Sequence, residues 1–502
     1  MAAVPGEMEG KMRKNLRYLS SLCTLFSFLA LAANAQDIPA PPEFAGVRAY
    51  IEQGIRDGLA PSVAVAVIKA EKVIWAEGFG YADLERKMRA TSDRIYILAS
   101  VSKPITATGL MILRDQGLID LEAPANRYLP GPKLKSYFGS ADAMTIRKIA
   151  NHTSGLPLHY SFLYDNILPP PMDETVRRYG FAATEPGSEW NYSNLGFGIL
   201  NYITEVVSET PWRKFMENKL YDRLGMSRTS DHVRKGREAD ATVMYTPDVA
   251  GRFNRVAPYV FDHPGASIIH SSANDLAQFV RMHLNGGIVD GVRILTEKTA
   301  REMQTQTSRR PDGSGTGIGW GVGTYYGHQC FSHSGGMPGV ATWIRAYPND
   351  GVATIVLTNT DRRTMADEVT SRIAAVFFPE GKPPEPPQRD KPENDPSGFV
   401  GAWNGRVVHF DGDIPVTIEI KDKDTVNVKL GNANLQAREV RFDKDRFSGR
   451  VDAAIRTQDS YHGVPTIDFR LKREGNRMTG TAVALASGYF ALSHWVELTR
   501  GQ

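Results

Sequence analysis

The sequence predicts an α+β chain: an antiparallel sheet flanked by helices and joined to a helical lobe, followed by a small all-β barrel-like domain. Three observations predict it. Hairpin patterns stand at both ends of a long first region whose middle is rich in helical spacing. A proline- and charge-dense segment interrupts the chain near residue 380, and everything after it alternates apolar and polar residues.

The first region opens with FAGVRAYIEQGIRDG, whose apolar residues recur at helical spacing. SVAVAVIKAEKVIWAEGFGYAD follows as two β-rich runs around a short polar turn. Near the far end, VATWIRAYPNDGVATIVLTN is a second hairpin turning at Asn349-Asp350-Gly351, and the helical RTMADEVTSRIAAVFF closes the region. Hairpins at both ends imply one sheet assembled from the two ends of residues 36–378, with the intervening helices as a lobe. Residues 379–396, PEGKPPEPPQRDKPENDP, have almost no large apolar side chain to bury and read as a semi-rigid linker. The tail, 397–502, reads as all-β, with IPVTIEIKDKDTVNVKL and YFALSHWVELT as its plainest strands. Its GFVGAWNGRV resembles the Gly-x-Trp opening of lipocalin-like barrels, with Gly401 and Trp403 at those positions.

The 502 residues are 41% apolar and 23% charged with a net charge of +3, the balance of a globular chain. No basic run is gathered into a patch, which argues against nucleic acid as a partner. Lys11, Arg13, Lys14 and Arg17 precede an apolar run ending in Ala33-Asn34-Ala35, so residues 1–35 read as an export signal, with Met12 as an alternative start. The alternative, an uncleaved anchor, lacks a basic stop-transfer flank, so no stable membrane span is expected after cleavage. Cys23 falls in the signal, which leaves Cys330 alone and excludes an internal disulfide. Export without disulfides fits a bacterial periplasm or exterior.

The chemistry starts at ILASVSKPITATGLMIL, where Ser100 and Lys103 lie three positions apart at a helix start. A serine needs a base, and a desolvated lysine one turn on can be that base. Alone, the pair means little, because a Ser-x-x-Lys arises by chance about twice in a chain this long. Two further stretches join it. EPGSEWNYSNLGFGIL offers Tyr192 as a proton shuttle and Asn194 as an amide facing lysine and substrate; the bland alternative is a helix cap beside a half-buried tyrosine. FSHSGGMPGVATWIRAY sets His333, Gly335 and Gly336 at a strand entry, where bare glycines let a ligand approach and Gly336 offers an N–H. His333 with His328 and Cys330 as a metal site is disfavoured, since no acidic ligand sits at suitable spacing.

The order Ser-x-x-Lys, Tyr-x-Asn, His-x-Gly resembles the serine β-lactamase and penicillin-binding-protein superfamily, in the branch of class C β-lactamases, D-aminopeptidases and family VIII esterases. TIRKIANHTSGLP, GASIIHSSANDLAQFV and GIGWGVG match its habits, and the resemblance covers roughly residues 45–378. It implies the β-lactamase/transpeptidase-like fold, with Ser100 as acylated nucleophile and Lys103 as its proton partner. Tyr192 would be base and acid, Asn194 the orienting amide, and the N–H groups of Ser100 and Gly336 the oxyanion hole. No metal or cofactor is implied. His333 stands where class C enzymes carry a lysine, which favours an esterase or peptidase over antibiotic hydrolysis. The expected substrate is a small-molecule ester, amide or short peptide. A β-lactamase or D,D-/D-amino-acid peptidase and a non-enzymatic ligand sensor are the alternatives. The tail is a candidate cap, loop donor or homo-oligomer surface.

Overall fold

The computed structural model describes residues 37–164, 167–383, 394–456 and 465–501. The signal reading at 1–35 and most of the linker fall outside them. Residues Ile38–Gln502 form one compact unit.

The main elements of its first part are helix α1 (Ala45–Arg56), strands β1 (Ser62–Lys69) and β2 (Lys72–Asp83), helix α2 (Ser102–Asp115), strand β3 (Tyr160–Leu163), and helices α3 (Asn194–Ser208) and α4 (Ala273–Leu284). Strands β4 (Gly321–Tyr325), β5 (His328–Met337), β6 (Val340–Tyr347) and β7 (Val352–Thr358) and helix α5 (Thr364–Phe377) follow. One antiparallel sheet runs β4-β5-β6-β7-β1-β2, extended at both edges by two-residue strands. Val63 sits opposite Thr358, so the first hairpin joins the last strand and the sheet is closed by both ends of the region.

The unbroken apolar run of β1 follows from that central place. Ala64, Ala66 and Ile68 face the helical lobe, while Val63, Val65 and Val67 face α1 and α5. Each fully buried Val or Ile contributes about 1.5–3 kcal/mol, which fixes β1 between two layers. Helix α2 is the axis of the lobe: every residue from Ser102 to Leu113 is buried, Lys103 among them.

The tail curls into a nearly closed barrel-like sheet. Strands β8 (Gly401–Val408), β9 (Ile414–Ile420), β10 (Val426–Leu430), β11 (Ala433–Gln436), β12 (Arg438–Asp443), β13 (Arg446–Val451), β14 (Thr466–Glu474), β15 (Arg477–Ala486) and β16 (Phe490–Arg500) lie in the order β11-β10-β9-β8-β16-β15-β14-β13-β12. Its two edge strands are separated in sequence only by Ala437. Trp403 is fully buried and donates its indole N–H to Phe399 C=O at 2.7 Å.

The barrel docks on the helical lobe. Strand β3 adds to β16, with Ser161 opposite Phe490 and the Phe162 N–H bonded to Tyr489 C=O at 2.7 Å. Tyr137 stacks on Trp495 with ring centroids 4.5 Å apart, and Glu189 pairs with Arg446 at 2.8 Å. One apolar core is continuous from α2 into the barrel interior.

Candidate active site

Ser100 lies in a single 3-10 turn, Ala99–Val101, that runs straight into α2. The helix proper begins at Ser102, two residues later than a serine at the helix start would require. Ala99 and Val101 are buried on either side of it, and Ala99 takes a left-handed φ of 48°, a strained backbone that turns Ser100 out of the core. The turn is clamped on two sides. Leu98 donates its N–H to Ile269 C=O at 2.8 Å, and its own carbonyl accepts from the Thr342 hydroxyl at 2.8 Å.

Lys103 is completely buried, with Nζ 3.1 Å from Ser100 Oγ, 2.8 Å from Asn194 Oδ1 and 3.0 Å from Ala266 O. Burial pushes its amine well below the usual lysine range. The Asn194 amide is oriented by its own NH2, which donates to His159 C=O at 2.9 Å. Two of the three neighbours of Nζ are therefore acceptors only. A neutral amine gives them its two N–H bonds and turns its lone pair on Ser100.

Tyr192 lies beside the pair, its ring centroid 4.7 Å from Lys103 Nζ, and its hydroxyl is near enough to Ser100 for the serine to pull on its titration. Burial pushes the phenol up to about 12, against the smaller opposing pull of Ser100, Arg310 and Arg363, so it is protonated at neutral pH. Its loop is strapped to the turn at His152. The N–H of Asn191 reaches His152 C=O at 2.7 Å, that of Ser193 reaches His152 Nδ1 at 3.1 Å, and Asn194 N–H reaches Leu158 C=O at 2.8 Å. Ser193 caps α3 through the Gly196 N–H at 2.9 Å, so the cap reading of this stretch holds alongside the gathering of Tyr192 and Asn194.

The third motif lies on β5. Strand β4 pairs with it only as far as Ser332, leaving His333–Met337 without a strand partner on that edge among the described residues, beside the Ser100 turn. Met337 and Val340 close a two-residue hairpin, so Met337 and Gly335 turn their N–H groups to β6 and Gly336 turns its N–H to the open edge. Gly335 departs from the expectation of ligand approach. A Cβ there would stand 2.3 Å from both Leu98 O and Thr342 Oγ1, so its bareness admits the protein's own turn.

His333 is neutral: burial, with Lys103 nearby, pushes it down to about 3, and its Nδ1 lies 2.8 Å from Ser334 C=O. It projects from the opposite face of β5 to His328 and Cys330, so the three cannot share a metal. Permanent charge comes instead from two arginines. Arg363 lies 3.0 Å from where a Gly336 Cβ would be, and Arg310 rides over Trp190 at 5.3 Å.

Several site residues escaped sequence reasoning. His152, though inside a quoted stretch, carries no spacing signal, nor do Arg310 and Arg363. Behind Asn194, Asp262 accepts from His159 Nε2 at 2.8 Å and from His263 Nδ1 at 2.7 Å, all three buried. Burial alone would raise the carboxyl; the two imidazoles outweigh it and hold it below the usual carboxylate range. Among the described residues these three form a group whose ligand atoms lie within 4.8 Å of one another. The nitrogens facing the carboxylate sit at donor distance, however, so N–H bonds occupy the lone pairs a metal would need. The network ties His159, whose carbonyl orients Asn194, to the His263–Ala266 turn, whose carbonyl holds Lys103. Asp262→Ala is expected to lower the unfolding free energy by about 2–4 kcal/mol at pH 7, by stranding two buried donors. Urea denaturation checks it. Because the folded carboxyl titrates below its unfolded value, this stabilisation is present above about pH 4 and is lost as the pH falls through the folded value.

The Beta-lactamase family profile matches residues 47–377, a span containing every residue of the Ser100 site and ending before the barrel. The chain is 27% identical over 345 residues to penicillin-binding protein 4* of Bacillus subtilis (strain 168), covering 63% of this chain and 72% of that relative. It is 24% identical over 324 residues to protein flp of Staphylococcus aureus (strain MRSA252), covering 62% of this chain and 61% of flp. The chain therefore spans about three fifths of the flp length. An octameric penicillin-binding protein homologue from Pyrococcus abyssi shares the fold with a TM-score of 0.58 at 21% identity, over 89% of this chain and 99% of that one. SurE shares it with a TM-score of 0.62 at 20% identity, over 90% and 99%. With the profile spanning well over half its length, the chain belongs to the Beta-lactamase family.

Proposed function

We propose that this protein is an exported serine hydrolase that cleaves ester or amide bonds of small molecules or short peptides through an acyl-enzyme on Ser100. The observation that carries the reading is Lys103: a fully buried amine with three hydrogen-bond neighbours among the described residues, of which Ser100 Oγ, 3.1 Å away, is the one that also carries a proton to give. Lys103 takes the Ser100 proton as Oγ attacks the carbonyl carbon. The backbone N–H groups of Ser100 and Gly336 receive the oxyanion. Tyr192, protonated, gives its proton to the leaving oxygen or nitrogen and regains one from Lys103. Water then hydrolyses the acyl-enzyme by the same transfers in reverse order. A ligand sensor has no chemical use for a buried amine aimed at a serine, which counts against the non-enzymatic alternative.

Arg310 and Arg363 favour a second reading, in which the substrate carries a carboxylate, as a β-lactam or a D-amino-acid peptide does. They supply the charge that neutral His333 does not. Export rests on residues 1–35, and among the described residues no helix is long and apolar enough to cross a membrane.

Incubation with a fluorophosphonate is expected to add one phosphonyl group, the probe less HF, as Ser100 Oγ displaces fluoride from phosphorus, and the adduct maps to Ser100 by peptide mass spectrometry. No adduct, or an adduct elsewhere, overturns the proposal. Relative rates on p-nitrophenyl butyrate, nitrocefin and D-alanyl anilide then rank the two readings.

A further inference from the structure

A cavity of about 840 Å³ lies between the helical lobe and the outer face of the barrel, with Tyr192 in its lining. Its lobe wall includes Leu158 and Phe138, each 38% exposed, and Glu185. Its barrel wall comes from β12 to β16. There Phe447, Phe469 and Leu471 fill the barrel interior, and the alternate residues Ser448, Asp468, Arg470 and Lys472 point outward to the cavity. The Glu189–Arg446 ion pair joins the two walls.

We propose that this cavity is a second half of the substrate site, holding the remote residues of a short peptide whose scissile bond lies at Ser100. The inference rests on the hydrolase reading and names its substrate class. The volume falls in the range of whole ligand sites, roughly 300–1,000 Å³, and a small ester or compact lactam at Ser100 leaves it unfilled. Its lining carries both signs of charge. Arg441, Asp443 and Glu185 have no salt bridge among the described residues, so an acyl chain laid over them would strip their water and return nothing. A peptide brings backbone donors and acceptors, side chains of either sign, and apolar groups for Leu158 and Phe138. The open edge of β5 supplies a matching ladder for its backbone near Ser100.

The test compares three substrates on the full chain: p-nitrophenyl butyrate, a dodecanoyl ester, and a tetrapeptidyl thioester bearing one lysine and one glutamate. The tetrapeptide is expected to exceed butyrate in kcat/KM at least tenfold. Ser448→Trp, which fills the cavity from an outward strand position, is expected to cut that ratio at least tenfold through KM. Arg441→Glu at an exposed position is expected to cut it in the same sense, and serves if the tryptophan variant misfolds. An unchanged ratio in both variants, or a dodecanoyl preference that they abolish, overturns the proposal. If no ester is turned over, the hydrolase reading fails separately. Calorimetric binding of the tetrapeptide amide to Ser100→Ala, weakened by Arg441→Glu, would still support the cavity, and absence of binding would sink it.

Discussion

Replacing Ser100 with alanine is expected to lower turnover of p-nitrophenyl butyrate by at least about 10⁴-fold, because a nucleophile and its base act as a unit. The fold should survive. Ser100 is only half-buried, and the strain at Ala99 and the clamps at Leu98 do not depend on its hydroxyl. Unchanged circular dichroism and thermal midpoint would show that the loss is chemical. Retention of more than a hundredth of the activity in a verified variant would place the nucleophile elsewhere.

Lys103→Met is expected to cost about 10²–10⁴-fold in kcat/KM, the usual contribution of a positioned base. It should also remove the acid limb of the pH profile. The sign follows from burial, which favours the neutral amine and moves its titration well below 10.5. Wild type should therefore rise about tenfold per pH unit below that lowered value, where protonated Lys103 cannot accept the Ser100 proton. Above it, kcat/KM should stay level to about pH 10, since Tyr192 keeps its proton until about 12. Tyr192→Phe should be slower on this plateau but keep the acid limb. If Lys103→Met keeps the limb and Tyr192→Phe loses it, the two roles are exchanged.

These residues were legible because each motif is local. Ser100 and Lys103 lie three positions apart where a 3-10 turn enters α2, Tyr192 and Asn194 where a loop enters α3, and His333 to Gly336 on one strand, so spacing alone keeps each group together. The charge on His333 was legible too, as a neutral imidazole in place of a lysine. Asp262 and His159 were not. They lie 103 residues apart, and no periodicity relates a buried carboxylate to the histidine that satisfies it. The bareness of Gly335 serves the Leu98 carbonyl on a distant turn rather than a ligand, a partner that local spacing does not reveal.

The barrel shows the same division. Alternation along IPVTIEIKDKDTVNVKL and its neighbours announces strands, since a pleated strand with one buried face must alternate. Where the barrel sits depends on β3, a four-residue strand inside HYSFLYDNILPPPMDE, whose pairing to β16 is made by backbone groups. Backbone hydrogen bonds carry no side-chain signature, so the sequence is silent on which distant edge will take them. By itself, then, the sequence determined the main strands and helices and the three local groups of polar residues, around Ser100, Tyr192 and His333, that the fold brings together. Only the tertiary structure decided which acceptors surround Lys103, which carboxylate orders the loops behind it, and that a barrel wall stands across a cavity from Tyr192. Those depend on groups far apart in the chain meeting in a medium where each buried polar atom must find a partner.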